Sequence, residues 1–272
     1  RSTQGVSSAA SDVYKRQVFV FLITMKIILI GAGKLGKQLY RAIVLNKDLE
    51  IIQWLDRSSK KTRTSEGVPV VKEIGDFKNI DLYLLTVTDK SISTISNSLP
   101  KEAFVVHSAG GIPLSEITQK RAGVFYPLQS FSNDRNIDFS KIPICVESKV
   151  KTDLIILKNL AKRIKSSVFD VNTKQREQLH LAAVLINNFT NHLFLEAAEI
   201  CKNNSLPFEL LKPIIKETFE KLEILSPKNA QTGPAIRRDK KTINKHLKLI
   251  ESPDLKSIYK VFTLAIQKNN EK

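Results

Sequence analysis

The chain has 272 residues, of which 42% are hydrophobic and 26% charged, and this composition excludes a disordered or fibrous protein. Its two cysteines, Cys145 and Cys201, are too few for a disulfide framework, so a reducing compartment is expected. The net charge of +16 comes mainly from lysines scattered among acidic residues, with no arginine stripe and no basic run interleaved with aromatic residues. We therefore interpret the charge as a solvated surface and expect no nucleic-acid partner.

The first 24 residues read as an extension that is non-native or disordered. The stretch RSTQGVSSAASDVYKRQ has no hydrophobic period and resembles linker sequence placed ahead of a natural start at Met25. The apolar run VFVFLIT that follows has only seven residues, whereas a membrane span takes about 20. We exclude residues 1–24 from the fold and expect a cytoplasmic protein that does not contact a membrane.

From Met25 onward, short β-rich runs alternate with helical stretches. Strands are predicted at residues 26–30, 50–55, 68–71, 81–87, 103–108, 123–128 and 142–148, and helices near residues 34–46, 89–98 and 113–121. This alternation indicates a Rossmann-type, doubly wound α/β domain with a mostly parallel sheet over residues 25–149.

After residue 149 the hydrophobic period becomes helical. Helices are predicted at residues 151–165, 173–203, 207–224, 239–250 and 252–268, with one strand at 167–171. The sequence therefore predicts a mainly α-helical second domain over residues 150–272.

The segment IILIGAGKLGKQLY places Gly31, Gly33 and Gly36 in a GxGxxG pattern between a predicted strand and a predicted helix. There the first glycine allows a tight turn, the second a close approach of backbone to a pyrophosphate, and the third close packing of helix on strand. The N–H groups of Lys34 and Leu35, at the helix start, are expected to face the phosphates. The pattern predicts a dinucleotide-binding site.

Asp56 ends the next strand, 20 residues after Gly36, where a ribose-binding residue is expected. Its carboxylate suits the free 2′-hydroxyl of NAD, whereas Arg57, Ser58 and the basic residues after them suit the 2′-phosphate of NADP. We favour NADP as the cofactor and keep NAD as the open alternative. A solvated basic loop would also explain these residues.

The loops that leave the later strands should meet the glycine loop at the carboxyl edge of the sheet. We predict cofactor contacts for Thr86, Val87, Thr88 and Ser108, and substrate contacts for His107, Gly110, Gly111, Tyr126 and Gln129. A histidine that ends a strand, such as His107, is more often structural than functional.

Five motifs together carry a resemblance: GAGKLG, VVHSAGGIP, GVFYPLQSFS, LHLAAVLINNFTNHL and SPKNAQTGPAIRRD. They resemble the family of NADP oxidoreductases that join a Rossmann-like domain to a C-terminal helical domain of unknown function. More remotely, the chain is similar to 3-hydroxyisobutyrate and 6-phosphogluconate dehydrogenases, pyrroline-5-carboxylate reductase and deazaflavin-dependent NADP oxidoreductases. The resemblance implies a homodimer formed largely through the helical domain and a substrate site between the domains.

In the 3-hydroxyacid dehydrogenases, the corresponding helix carries a lysine that acts as acid/base and, four residues later, an asparagine that orients the substrate. When AAVLINN is laid on that pattern, Asn188 takes the asparagine position and Val184 the lysine position. Valine cannot titrate, so either another group moves the proton or the hydride chemistry is absent.

His180 is the natural substitute, because it lies one helical turn before Val184 and its ordinary pKa suits acid/base work. Asn188 and Asn191 share the polar side of the helix with it, and we predict all three as catalytic residues. The structural alternatives are a histidine bonded to nearby backbone and asparagines that join helices. No metal site is expected, since His180 and His192 lie about 120° apart on the helix with no carboxylate at ligand spacing.

The motif AQTGPAIRRD combines a turn at Gly233 and Pro234 with a helix cap at Asp239, and its Arg237 suits an anionic substrate group. Our first hypothesis is an NAD(P)-dependent oxidoreductase that acts on a small anionic substrate. The alternative is a non-catalytic NAD(P)-binding or sensor protein that kept the site and lost the lysine.

Overall fold

A computed structural model describes residues 24–75, 79–132 and 135–269. The expected extension lies outside the described residues, apart from Thr24. Eight strands form one sheet: β1 (Met25–Ile30), β2 (Leu49–Leu55), β3 (Val70–Val71), β4 (Leu82–Leu85), β5 (Val105–His107), β6 (Ala122–Pro127), β7 (Ile144–Ser148) and β8 (Val168–Asp170). The α-helices are α1 (Lys34–Val44), α2 (Ile92–Asn97), α3 (Lys151–Arg163), α4 (Thr173–Ala183), α5 (Thr190–Asn203), α6 (Lys212–Glu220), α7 (Pro227–Ala230), α8 (Lys240–Leu249) and α9 (Pro253–Asn269).

The strand order is β3-β2-β1-β4-β5-β6-β7-β8, and all neighbours are parallel except the antiparallel pair β6 and β7. The chain winds outward from β1 in both directions, so the order reverses between β1 and β4. Ligands of open α/β sheets bind at such a switch point, outside the carboxyl ends of the strands. The predicted Rossmann-type fold is confirmed.

The sheet buries both of its faces. Along β1, Ile27 and Leu29 belong to the core cluster that includes α1 and α3, while Ile28 and Ile30 belong to the cluster on the opposite face. All four side chains are fully buried. Successive strand residues point to opposite faces, so the apolar run of β1 supplies both cores and fixes the glycine loop at its end.

The prediction of a helix at residues 113–121 is wrong. The structure has a single 3₁₀ turn, Leu114–Glu116, followed by irregular backbone. The amide of Gln119 is buried and bonds the hydroxyl and carbonyl oxygens of Ser96, at 2.7 and 2.6 Å. This side chain fixes the segment against α2, which replaces the hydrogen bonds that a helix would have formed.

The helix predicted at residues 173–203 is interrupted. Between α4 and α5 lies a π-helix, Val184–Phe189. The chain divides into two compact units inside this π-helix, between Asn187 and Asn188. Among the described helices, none is long and apolar enough to cross a membrane.

The second unit contains helices α5–α9 and buries little of its apolar surface. Its buried hydrophobic residues, among those described, are Cys201, Ala235 and Ile243, whereas Leu210, Ile214 and many similar side chains are exposed. Asp239 caps α8 by accepting from the N–H of Thr242 at 3.0 Å.

Candidate functional site

The glycine loop after β1 has no room for side chains at two of its three glycines. Gly31 has a φ of +108°, and a Cβ there would lie 2.6 Å from the Thr86 carbonyl oxygen. A Cβ on Gly36 would lie 2.3 Å from the Gly31 carbonyl oxygen and 2.6 Å from Thr86 Oγ1. At Gly33, by contrast, a Cβ would meet no atom within 4 Å. The first and third glycines are therefore required by packing, while the second leaves an open face above the loop.

Side chains from two neighbouring strands hold this loop. Thr86, which follows β4, donates to the carbonyl oxygens of Ile30 and Gly31 at 3.1 and 3.0 Å. Trp54 of β2 donates through Nε1 to the Gly31 carbonyl at 2.9 Å and stacks on Tyr40 of α1. The sequence prediction included Thr86 but missed Trp54, whose only signal was a tryptophan two residues before Asp56.

The start of α1 is free to bind an anion. Gly33 is the N-cap residue and forms no side-chain cap, and the first turn carries no acidic residue. Gly33 and Lys34 are exposed, and Leu35 is half-buried. Since the first N–H groups of a helix lack intrahelical partners, this end presents donors and the positive end of the helix dipole to the open face.

One oxygen of the Asp56 carboxylate is bonded within its own loop. Asp56 Oδ1 accepts from the N–H of Ser58 at 2.9 Å, from the Ser58 hydroxyl at 2.6 Å and from the N–H of Ser59 at 3.2 Å. Lys72 also holds this loop, because its ammonium donates to the carbonyl oxygens of Arg57, at 2.6 Å, and Ser59. The result is a rigid turn from which the exposed Arg57 and Ser58 side chains project.

Two cavities flank this turn. One, of about 490 Å³, lies between the ends of β1 and β2 and helix α2, and is lined mainly by apolar residues with Arg57 and Lys72 at its side. The other, of about 290 Å³, lies beside α1 and contains the Trp54–Tyr40 stack together with Asp56. Four basic residues line this second cavity: Lys37, Arg41, Lys61 and Arg63.

A second cluster forms around His180, farther along the carboxyl edge. His180 Nδ1 lies 3.1 Å from the Tyr126 hydroxyl, and the two rings meet edge to face. The pair rests on Gly110 and Gly111, because a Cβ on Gly110 would lie 2.6 Å from His180 Nδ1 and one on Gly111 would lie 3.4 Å from His180 Cδ2. The two glycines thus create the space that the histidine ring fills.

Tyr126 is suited to donate to His180. Burial raises the pKa of Tyr126, with a smaller contribution from Cys145, so the hydroxyl keeps its proton at neutral pH. When this hydroxyl donates to Nδ1, the neutral imidazole carries its own proton on Nε2. The pair can then offer the Nε2–H group as a donor to a bound molecule.

His107 and Ser108 lie in the core at the end of β5. His107 is fully buried, and burial, followed by the charge of Arg176, lowers its pKa to about 3. It accepts from the N–H of Ala109 at 3.2 Å, which fixes the start of the Gly110–Gly111 loop. A histidine that stays neutral and enclosed is suited to hold this loop and not to exchange protons with a substrate.

Gln129, in the first unit, lies outside both clusters, and three further predicted residues belong to the second unit. Gln129 is exposed beyond β6 and bonds the N–H of Ser130. Asn188, Asn191 and Arg237 are exposed side chains of the second unit. Their assigned roles stay predictions.

The structure also contains a buried ion pair beside this cluster that the sequence prediction missed. Arg176, one turn before His180 on α4, is fully buried and pairs with Glu147 of β7. The available signal was an arginine four residues before a candidate catalytic histidine on the same helix face.

Comparisons with known proteins agree with this architecture. A family model described as a domain of unknown function, DUF2520, matches residues 142–266, and no curated protein matches the chain. The solved structure of "putative NADP oxidoreductase BF3122" from Bacteroides fragilis is 35% identical, covers 90% of this chain and 98% of its own, and has a TM-score of 0.77.

Two further solved structures cover the same shares, 90% of this chain and 98% of their own. Protein TM1727 from Thermotoga maritima is 20% identical with a TM-score of 0.69. A pyrroline carboxylate reductase from Plasmodium falciparum, solved with NADP bound, is 12% identical with a TM-score of 0.57. At these identities the two structures show a likeness of fold alone.

Proposed function

Because the chain belongs to the NADP oxidoreductase family represented by the Bacteroides fragilis protein, we propose that it is an NADP-dependent oxidoreductase acting on a small anionic substrate. The family resemblance predicted from the sequence motifs is thereby confirmed. The observation that carries the proposal is the open, uncapped glycine loop on the same sheet edge as the His180–Tyr126 pair.

The turn after β2 supports NADP over NAD. Asp56 Oδ1 accepts three hydrogen bonds within its own turn, which leaves Oδ2 as the oxygen that could accept from the 2′-hydroxyl of NAD. These bonds fix the turn from which the exposed Arg57 projects, and its guanidinium suits the 2′-phosphate of NADP. The cavity beside the turn adds Lys61 and Arg63 to the same positive surface.

The spacing of the two clusters fits a dinucleotide laid across the sheet edge. Four inter-strand steps separate β2, which precedes the Asp56 turn, from β6, which carries Tyr126. At about 4.8 Å a step, this is roughly 19 Å, on the scale of an extended dinucleotide. The adenosine end would lie at the turn, and the nicotinamide end toward His180.

Bound NADPH would supply a hydride to a C=O or C=N carbon of the substrate. The chain's own contribution is a proton: protonated His180 donates from Nε2 to the substrate oxygen or nitrogen, is left neutral with its remaining proton on Nδ1 facing the Tyr126 oxygen, and regains a proton from solvent. Tyr126 and the glycine pair also hold the imidazole in one orientation. The net charge of +16 favours an anionic substrate.

The test is turnover of NADPH with a panel of small 2-keto, 3-keto and imino acids, followed at 340 nm. We expect His180→Gln to lower turnover by about 10²–10⁴-fold, as for loss of a general acid, and Tyr126→Phe to lower it less. His192→Gln, a change at a more exposed histidine of the second unit, is the matched control and should keep wild-type turnover. NADPH binding without turnover on any substrate would favour the alternative, a non-catalytic sensor.

The homodimer is the second part of this proposal, supported by the exposed apolar surface of the second unit. Many large apolar side chains between Phe189 and Leu264 are about half or more exposed, including Leu210 at 65%, Ile214 at 63% and Ile224 at 87%. So much apolar surface is uncommon on a monomer. A second copy of the chain that packs against these helices would bury it.

A further inference from the structure

We propose that Arg176 and Glu147 are positioning residues that hold His180 against Tyr126. The inference deepens the proposed function, since it concerns the residue that we assign to proton donation. It rests on a buried polar network that joins three parts of the first unit: helix α4, strand β7 and the segment that follows Gly111.

The network is centred on the Arg176 guanidinium, whose side chain is fully buried. One terminal nitrogen donates to Glu147 Oε2 and the other donates to the carbonyl oxygen of Ile112. One side chain thus ties β7 to the backbone directly after Gly111. The planar guanidinium holds its two terminal nitrogens in a fixed fork, so it sets the directions of both bonds, whereas a lysine ammonium is a compact group whose donors rotate.

Glu147 also binds the first residue of α4. Its Oε1 accepts from the N–H and the hydroxyl of Thr173 at 2.8 and 2.9 Å. The Thr173 hydroxyl in turn accepts from the N–H of Leu114 at 3.4 Å. A carboxylate at a helix N-terminus is favourable, so Glu147 fixes both the start of α4 and the charge of Arg176.

The two ends of this network define where His180 lies. Arg176 and His180 are four residues apart on α4, so they lie on the same face of the helix. The helix face that Arg176 holds against Ile112 therefore carries His180 onto Gly110 and Gly111. The 3.1 Å contact between His180 Nδ1 and the Tyr126 hydroxyl depends on this placement, because the histidine, the tyrosine and the two glycines are tightly packed against one another.

The test is the tautomer of His180 in the cofactor-free full-length protein, measured by long-range ¹H–¹⁵N spectra and assigned with His180→Gln. We expect the wild type to hold a single tautomer with the proton on Nε2. Arg176→Lys should lose that preference and give the spectrum of Tyr126→Phe. Glu147→Gln, which keeps the shape of the side chain, is a second variant for the case that Arg176→Lys fails to fold, and should shift in the same direction.

Arg121→Lys is the matched control. Arg121 forms a bidentate pair with the buried Asp153 in the same unit, at 2.6 Å, so its loss should lower stability without changing the His180 spectrum. If Arg176→Lys or Glu147→Gln folds and keeps the wild-type tautomer, the inference is wrong. NADPH affinity should stay within about twofold in Arg176→Lys and Glu147→Gln, because among the described residues neither Arg176 nor Glu147 contacts the glycine loop. If the wild type binds no NADPH but Arg176→Lys still loses the preference for the Nε2 tautomer, the proposed function is wrong and the positioning role stands.

Discussion

Gly33 and Gly36 differ in the space available for a side chain. Substitutions at the two positions therefore test cofactor binding and packing separately. Gly36→Ala would force a Cβ to 2.3 Å from the Gly31 carbonyl oxygen, so we expect a loss of about 1–3 kcal/mol of stability, as for overpacking. Gly33→Ala has open space and should keep wild-type stability while weakening NADPH binding, because its methyl group would stand where a pyrophosphate approaches. Thermal unfolding and NADPH titration of the two variants check this. Equal NADPH affinity in Gly33→Ala and wild type would contradict it.

At single residues, the sequence predicted chemical type better than it predicted contacts. His180 was identified from its place on a polar helix stripe, and the structure adds the contacts with Tyr126 and Gly110. Asp56 could not be interpreted alone, because a carboxylate after β2 suits a ribose or its own loop equally well. Its three bonds through Oδ1 show that it fixes its own loop, and they depend on backbone geometry that spacing does not encode.

At the scale of elements, the segment between β2 and β3 is anchored to α1 through the Tyr40 hydroxyl, and the strength of this contact depends on pH. The Tyr40 hydroxyl bonds Glu66 Oε2 and Thr64 Oγ1, each at 2.7 Å. Hydrogen bonds from Tyr40 and then Ser65 lower the pKa of Glu66 to about 2. The folded-state pKa lies below the ordinary value of 4.5, so ionised Glu66 stabilises the fold above pH 4.5, and this contribution is lost as the pH falls toward 2.

We therefore expect the stability difference between wild type and Glu66→Gln to be constant near neutral pH and to shrink below about pH 4.5. Chemical unfolding at several pH values measures it. Glu50→Gln, at an exposed carboxylate of β2, is the control and should show no such change. A difference for Glu66→Gln that does not vary with pH would rule out the assigned contact.

The π-helix between α4 and α5 shows where element prediction from sequence ends. The apolar period predicts one continuous helix over residues 173–203, and the chain remains helical there. A π-helix closes hydrogen bonds one residue farther along than an α-helix, so each of its residues turns through a smaller angle. The polar stripe was therefore placed with the wrong angular step from Val184 onward. Such π segments often occur at functional sites, and this one contains Val184, the position that the sequence resemblance matched to the lysine of 3-hydroxyacid dehydrogenases.

At the scale of the whole molecule, the two compact units differ in how much apolar surface they bury. The parallel sheet could be predicted because its strands are apolar on both faces, and β1 alone supplies both cores. The second unit could be predicted only as helices, because its apolar faces have few partners within the described chain. A single sequence does not say what covers them.

The proposed homodimer predicts a mass of twice 30.7 kDa by light scattering. Ile214→Glu, on the exposed face of α6, should shift the mass toward the monomer, because a buried carboxylate at an apolar interface is costly. Leu45→Glu changes an apolar side chain that is 84% exposed in the first unit, and should leave the mass unchanged. A wild-type monomer at micromolar concentration would contradict the dimer.

The most direct test of the central claim uses the chain's single tryptophan, Trp54, whose indole bonds the glycine loop. Its fluorescence should be quenched on titration with NADPH, with a Kd at least about tenfold lower than for NADH, a difference of about 1.4 kcal/mol. Arg57→Ala should remove most of that difference. Equal Kd values for the two cofactors would contradict the NADP preference, and no binding of either would contradict the proposed function itself.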